Sequence, residues 1–572
     1  MTALLTDNLP LLAGAPNGIK KLRELILELA VRGKLVPQDP NDEPANELLK
    51  RIAEEKARMV AKGKIKKPKQ QNEINPEETP FELPAGWVWQ RLGSVANIFN
   101  GNSINATEKE SKFTGVAGRP YIATKDVGYG LSPLNYENGV RIPDDEVAFR
   151  IAHAGAVLLC AEGGSAGKKC GITDRDIFFG NKLFAIEVHG SIPSSLVLYY
   201  FLSPTFRAAF EAVMTGIIGG VSIAKFVDLL VPLPPLTEQH RIVAKVDELM
   251  ALCDRLEARQ ADADSAHTQL VHALLDSLTQ ARDSKDFAQS WQRLAEHFHT
   301  LFSTESSIDA LKQTLLQLAV MGKLVPQDPS DEPASELLMR IADEKAKLIA
   351  EGKIKKQRAK AEVTEEEKPF EIPSAWEWVR LGEVISLTSG KGFKAEEYSL
   401  RGARLFQIAN VSLGYTKWEI ENFLPESYIN EYPELVLNAG DVLIALNRPL
   451  LNGRMKVCII SEEDLPAILY QRVGRFSFYD SSVESRYFYY YLQSQLFIGK
   501  LNESLQGSDQ PFINQSQVVE FLFAWPPLAE QHRIVAKVDQ LMALCDQLKA
   551  RLNQARQVHE QLANALVEQA VA

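Results

Sequence analysis

Two hydrophobic rhythms run through this chain, and each occurs twice. After Pro234-Pro235, and again after Pro526-Pro527, apolar residues recur at alternating steps of four and three. The first series is Ile242, Val246, Leu249, Cys253, Leu256, Gln260, Ala263, His267, Leu270 and Leu274. The second is Ile534, Val538, Leu541, Cys545, Leu548, Leu552, Ala555, His559, Leu562 and Leu566. Such a seam predicts a coiled-coil helix of about four heptads, roughly 48 Å long at about 1.5 Å per residue. Thr237 is the expected N-cap of the first of these helices. Shorter helices are predicted over 44–62, with Leu48, Leu49, Ile52, Met59 and Val60 at helical spacing, and over 333–351, with Leu337, Leu338, Ile341, Leu348 and Ile349. Each should end at a glycine, Gly63 or Gly352. Polar linkers without apolar period follow at 64–80 and 353–369. The stretches between change character. Short β-type runs such as 156–162 and 441–447 give way to helical patterns near 195–213 and 482–505, which predicts mixed α/β domains at 81–235 and 370–527.

The doubling is literal. Residues 29–56 match 318–345 at 23 of 28 positions, at an offset of 289. Residues 237–259 match 529–551 at 19 of 23 positions, at an offset of 292. The segment from Phe81 (FELPAGWVWQRLGSV) matches that from Phe370 (FEIPSAWEWVRLGEV). Between these blocks, 95–230 and 384–522 share little beyond pattern. The expected organisation is an N-terminal helical scaffold and linker at 1–80, one variable domain at 81–235, a central helical scaffold at 236–369, a second variable domain at 370–527 and a C-terminal helix at 528–572. Drift alone spreads differences along a chain, whereas here they are confined to one segment of each copy. Near-identical scaffolds suit two copies of one partner, and unlike domains suit two unlike targets.

Few residues invite chemistry. The five cysteines, Cys160, Cys170, Cys253, Cys458 and Cys545, form no C-x-x-C pair, so zinc is not expected. His267 and His559 fall at equivalent seam positions and are read as polar residues that set helix register. Gly163 to Lys169 resembles a phosphate loop, but Glu162 stands where glycine is needed and Lys169 where Ser or Thr is needed. No glycine-rich dinucleotide turn and no Asn- or Asp-Pro-Pro-aromatic segment is present. Glu238-Gln239-His240-Arg241, repeated at Glu530 to Arg533, is read as acidic complement to a helix N-terminus. Trp87 and Trp89, like Trp376 and Trp378, are read as anchors of each domain to its base. No apolar run reaches the roughly 20 residues of a membrane span. No secretory signal opens the chain, so a reducing cytoplasm is the expected compartment.

Polar loops of the variable domains are the places where bases could be read. In the first domain the candidates are Asn100, Asn102, Ser103, Ser165, Lys168, Lys169 and Lys225. In the second they are Lys391, Arg448, Asn452, Arg454, Lys456 and Gln510. Glycine lets backbone approach a duplex closely, and Arg, Lys, Asn and Gln read base edges. Charge argues the other way. The chain carries a net −11, with −1 over 81–235 and −6 over 370–527. Only 51–70 (net +6) and 340–360 (net +5) are basic. Phosphate contacts dominate DNA affinity, so this chain by itself should bind DNA weakly. A scaffold whose two domains bind proteins instead of DNA is the alternative reading, and a related subunit with its own catalysis is another.

The L-A-V-x-G-K-L-V-P-Q-D-P stretch, the F-E-[LI]-P-x-x-W-x-W-x-R-L-G segment and the P-P-L-x-E-Q-H-R-I-V-A-K-V-D-x-L helix resemble the specificity subunit of type I restriction–modification systems. The resemblance runs over essentially the whole chain, twice in order. It implies an α+β fold with two target-recognition domains, each reading half of a split double-stranded DNA site. Two long antiparallel helices, 237–278 and 529–567 here, would form the coiled-coil ruler between them, giving a pseudo-twofold molecule. Scaffold residues on that seam include Ile242, Val246, Leu249, Leu256, Leu270, Ile534, Val538, Leu541, Leu548 and Leu562. Two modification subunits would dock on the scaffold, joined by motor-nuclease subunits for restriction. S-adenosylmethionine, ATP and Mg would be bound by those partners and none by this chain, which would be non-catalytic. The blocks 19–80 and 308–369 depart from the family pattern as an addition, for which partner docking is the expected role.

Overall fold

A computed structural model describes residues 9–61, 73–216, 219–282, 284–354, 362–480 and 483–571. They fall into two compact units, Met1–Ala263 with Ala555–Ala572, and Asp264–Gln554. The scaffold includes the helices α1 (Gly18–Val31), α2 (Ala45–Ala61), α3 (Leu236–Thr279), α4 (Glu305–Val320), α5 (Ala334–Ala350) and α6 (Leu528–Val571). The long helices α3 and α6 have 44 residues each, and each begins in one unit and ends in the other.

In the first unit, Ile242, Val246, Leu249 and Cys253 of α3 share a core with Leu22, Leu25 and Ile26 of α1 and with Ala563 and Ala570 of α6. In the second, Ile534 and Val538 of α6 are fully buried against the variable domain. Further along, Cys545 packs with Leu541, Leu548 and Leu552, with Val271, Leu275 and Leu278 of α3, and with Ile308 and Leu311 of α4. Leu256 is half-buried. The seam departs from expectation at its far ends. Leu270 and Leu562 are 52% and 49% exposed, and their neighbours Val271 and Ala563 are buried instead. Residues 257–266 and 553–558, including Gln260, Ala263 and Ala555, are exposed. A straight helix drifts about 20° per heptad against a strict seven-residue repeat, so over four heptads the buried stripe slips by one position. Thr237 lies inside α3, which starts at Leu236; the first helical bond runs from Gln239 N to Pro235 O at 2.9 Å, and the Thr237 hydroxyl donates to Asp42.

The blocks expected to dock partners place their apolar faces inside their own unit. Ala45, Leu48 and Ile52 of α2 belong to the core of the first variable domain, and Ala334, Leu337 and Ile341 of α5 to that of the second. α5 ends as expected at Gly352, which has φ +72°, whereas Gly63 lies outside the described residues. At Gly33 and Gly322 (both φ +69°), an added β-carbon would come within 2.5 Å of Pro84 and Pro373. The G-K and [LI]-P motifs therefore recur together because they pack on each other. The following lysines cap the far ends of the long helices: Lys34 Nζ donates to Val571 O and Lys323 Nζ to Thr279 O, both at 2.9 Å.

Each variable domain is pinned at its base. Its first and last strands pair antiparallel, Val88–Arg91 with Leu230–Leu233 and Glu377–Arg380 with Leu522–Trp525. The chain thus enters and leaves at one point, which makes the domain an insertion between scaffold helices. Trp87 Nε1 donates to Glu238 at 2.9 Å and Gln38 Nε2 to its other oxygen at 2.8 Å. Trp376 and Gln327 repeat this on Glu530 at 2.9 and 2.6 Å. Arg241 grips both oxygens of Asp42, and Arg533 those of Asp331. The acidic residue of the E-Q-H-R motif stands in the first turn of its helix, as expected, and is in addition a buried latch. Burial pushes both glutamates above the usual carboxylate range, while the Arg241 hydrogen bond holds Asp42 below it.

Above the base, each domain carries a four-stranded antiparallel sheet. Its order is Ala96–Asn100, Leu183–Val188, Val157–Cys160, Cys170–Ile172 in the first, and Ile385–Ser389, Val473–Phe478, Val442–Ala445, Val457–Ile459 in the second. A second sheet follows, four-stranded in the first copy and three-stranded in the second, with one parallel pair in each. Two helices close each domain, Ser194–Leu202 with Pro204–Val213 and Ser485–Leu492 with Gln495–Ser504. The domains are mixed α/β on a helical scaffold, as the sequence predicts.

Candidate nucleic-acid interface

Three loops and a turn meet at one edge of the first sheet. Gly163 N donates to Gly219 O at 2.8 Å, Val221 N to Ala161 O at 3.0 Å, and Ala161 N to Lys182 O at 2.9 Å. Asn100, Glu162, Asn181, Thr215 and Ser222 line the resulting cleft, of about 640 Å3. The first loop can turn there because Gly101 has no side chain: a β-carbon would stand 1.9 Å from Phe179 O. The second domain repeats the arrangement with other side chains. Arg448 N donates to Pro511 O at 2.6 Å, Ile513 N to Leu446 O at 2.9 Å, and Leu446 N to Arg472 O at 2.9 Å. Gly390 takes the part of Gly101: a β-carbon there would stand 2.0 Å from Leu469 O.

The candidate residues divide between this edge and other duties. Asn100 lines the cleft and its amide donates to Asn181 O. Asn102 braces a neighbouring loop, donating to Ala148 O and accepting from Arg150 N, while Ser103 is exposed. Ser165 and Lys169 turn toward Tyr129, with the Ser165 hydroxyl 3.3 Å from the phenol and the lysine over the ring; Lys168 is exposed. Lys225 is not among the cleft residues. It caps Val213 O and lines a separate cavity beside Glu28 and Arg32.

In the second domain, Lys391 is exposed and donates to the Tyr432 phenol at 2.8 Å, lying over that ring. Arg448, Asn452, Arg454 and Gln510 are all exposed. Asn452 and Gly453, at φ +51° and +74°, form the tight turn between Leu450–Leu451 and Arg454–Met455. That is the Asn-Gly signature of a two-residue hairpin, so turn geometry accounts for the asparagine. Lys456 is half-buried, donates to Ile408 O, and is held below the usual lysine range by burial and by Arg448.

Two pairs escape a reading based on loops alone, Asn181-Lys182 and Gln471-Arg472. All four are exposed, on the turn that leads into the second strand of each sheet. The signal was available in the copies themselves, which both place an amide and then a cation before that strand. His267 Nε2 lies 3.1 Å from Thr300 O, and no cluster of three or more His, Cys, Asp or Glu that could hold a metal ion occurs among the described residues. All five cysteines are buried free thiols. Among the described residues no helix is long and apolar enough to cross a membrane.

These features match known proteins over nearly the whole chain. Residues 84–263 and 373–556 each match the family described as type I restriction modification DNA specificity domain. The chain is 43% identical over 562 residues to the type I restriction enzyme EcoAI specificity subunit of Escherichia coli, spanning 97% of this chain and 94% of that one. It is 39% identical over 572 residues to the EcoEI specificity subunit of the same organism, again spanning 97% and 94%. A chain solved in work on complex assembly and conformational transition of the type I R-M system shares the fold, with a TM-score of 0.50 at 18% identity, over 86% of this chain and 99% of that one. With two matched domains, relatives of this identity and a doubled recognition fold, the chain belongs to the family of type I restriction–modification specificity subunits.

Proposed function

We propose that this chain selects the DNA sequence for a type I restriction–modification complex, each variable domain reading one half of a split site. The observation that carries this reading is the contrast between base and edge. The latches at Glu238 and Glu530 repeat residue for residue, whereas the loop edges share backbone hydrogen bonds and differ in side chains. One scaffold surface, presented twice, suits two identical modification subunits; two different edges suit two different half-sites. Motor-nuclease subunits join the same complex for restriction. The chain works in the cytoplasm and carries out no catalysis. S-adenosylmethionine, ATP and Mg are bound by its partners. With a net charge of −11, it chooses the sequence while the partners supply much of the positive surface that grips phosphate.

Methylome sequencing of a host with and without the gene tests this. Methylation at one split motif should vanish on deletion, and replacing 81–235 with the corresponding domain of a relative should change only one half of that motif. An unchanged methylome would point to the protein-binding scaffold instead. Tight, specific binding of a duplex by the isolated chain at physiological salt would contradict the shared-grip part of the reading.

A further inference from the structure

Left-handed backbone is rare outside glycine, because a β-carbon crowds the neighbouring carbonyl. Among the described residues four non-glycines adopt it, Asn17, Arg448, Asn452 and Arg472. The hairpin turn explains Asn452. The two arginines stand close together at the loop edge of the second domain, since the Arg472 carbonyl accepts from Leu446 N, two residues before Arg448.

The first domain shows what the ordinary occupant of the Arg448 position is. Glu162 bridges Gly220 as Asn447 bridges Phe512, and the next residue in each copy donates its N–H to the adjacent loop, Gly163 to Gly219 O and Arg448 to Pro511 O. Gly163 has φ +92°, and a β-carbon there would meet nothing within 4 Å. The position thus favours glycine by conformation and is open to solvent. The second domain nevertheless places an arginine there. Its side chain is exposed and makes no hydrogen bond or ion pair among the described residues. This occurs in a domain with 19 acidic against 13 basic residues, where Arg380, Arg475 and Arg486 each face a carboxylate. An unpaired cation held against backbone preference is kept for something outside the chain.

Comparison of the copies separates the two kinds of DNA contact. Phosphate contacts carry no sequence information, so both domains need them. The turn before the second sheet strand carries a cation in both copies, Lys182 and Arg472. A base contact should differ between domains that read different half-sites. Position 448 does differ, arginine against glycine. We propose that Arg448 reads a guanine in the half-site of the second domain, and that Arg472, like Lys182, grips the backbone beside it. The guanidinium fork matches the two acceptors, O6 and N7, that guanine alone presents side by side in the major groove. This rests on the reading of the chain as a DNA-sequence selector.

The test uses the complex with its modification subunits and duplexes carrying the motif found in the wild-type methylome. Each base pair of both half-sites is varied in turn. R448G, which suits the backbone, and R448Q should lose about 5- to 150-fold discrimination at one G·C pair in the second half-site, with every other position unchanged. R472Q should weaken binding equally across all sequences and lower the salt slope by about one. R448G that keeps full discrimination everywhere, or that weakens all sequences equally, would overturn the guanine assignment. R472Q that changes base preference would overturn the backbone assignment. Absence of any split motif with the wild-type complex would instead remove the functional reading, before any variant is made.

Discussion

Glu238 shows how much can hang on one side chain. It is 1% exposed and accepts from Trp87 and Gln38, so the first residue of the E-Q-H-R motif ties a variable domain to α3 and to the loop after α1. In E238Q one of those donors faces an amide N–H and loses its acceptor inside the protein. A buried donor left unpaired costs about 1–3 kcal/mol, and chemical denaturation should show a loss of that size. The pH dependence has a definite sign. Because burial raises the Glu238 carboxyl, the folded chain holds this proton to higher pH than the unfolded chain. Its contribution to stability is therefore largest at low pH and declines as pH rises from the ordinary carboxylate value through the raised one. The gap between wild type and E238Q should shift across that window and be level above it; a gap independent of pH throughout would mean that the carboxyl titrates normally. None of this pairing was legible in the sequence. Glu238 and Trp87 are 151 residues apart, and an acidic residue at a helix start has a sufficient local explanation in the dipole.

Periodicity located the long helices to within a few residues and placed the buried start of each, at Ile242 and Val246 and at Ile534 and Val538. It failed where the pattern had to be carried far. Leu270 and Leu562 keep the heptad spacing yet point to solvent, because geometry moves the buried stripe while the sequence pattern does not. The two sides of α3 near its end can be told apart by experiment. Leu275, at 2% exposure, packs with Leu278 and with α4, so L275A should destabilise the second unit by about 2–5 kcal/mol. L270A, five residues earlier, should change stability by no more than about 0.5 kcal/mol. Equal effects in urea melts would restore the strict heptad seam. The short helices α2 and α5 were equally legible from their apolar faces, but what those faces touch was not. Amphipathicity says that a helix has a partner, not which one, and the partner here is the domain that follows in the same unit.

At the scale of the molecule, the exchange of helix ends makes a prediction that sequence order alone would invert. Residues 555–571 are the second part of α6, which begins in the second unit, yet they belong to the first. There Ala563 and Ala570 fill the core beside Leu22 and Ile26, with Leu566 and Val567 against it. Glu560 pairs with Lys21 at 3.2 Å, and Lys34 caps Val571. A chain ending at Gln554 therefore loses part of the first unit's core, although the cut is made next to the second. The cost should appear in α1 and in 236–263, where the apolar positions that faced α6 become wet, at about 25 cal/mol per Å2 of apolar surface exposed. Cys545 and Leu548 remain in place, so the second unit should keep its core apart from fraying at the new terminus. Hydrogen exchange followed by mass spectrometry separates the possibilities. Protection should fall in the peptides of α1 and the first half of α3 and hold in α4 and the second variable domain. Loss confined to residues near 540–554 would mean that the C-terminal helix serves only the unit it starts from. The same experiment bears on selection of DNA, because the first domain is anchored through Trp87 to that weakened core. The truncated chain should therefore lose the half of the motif read by the domain farther away in sequence from the cut.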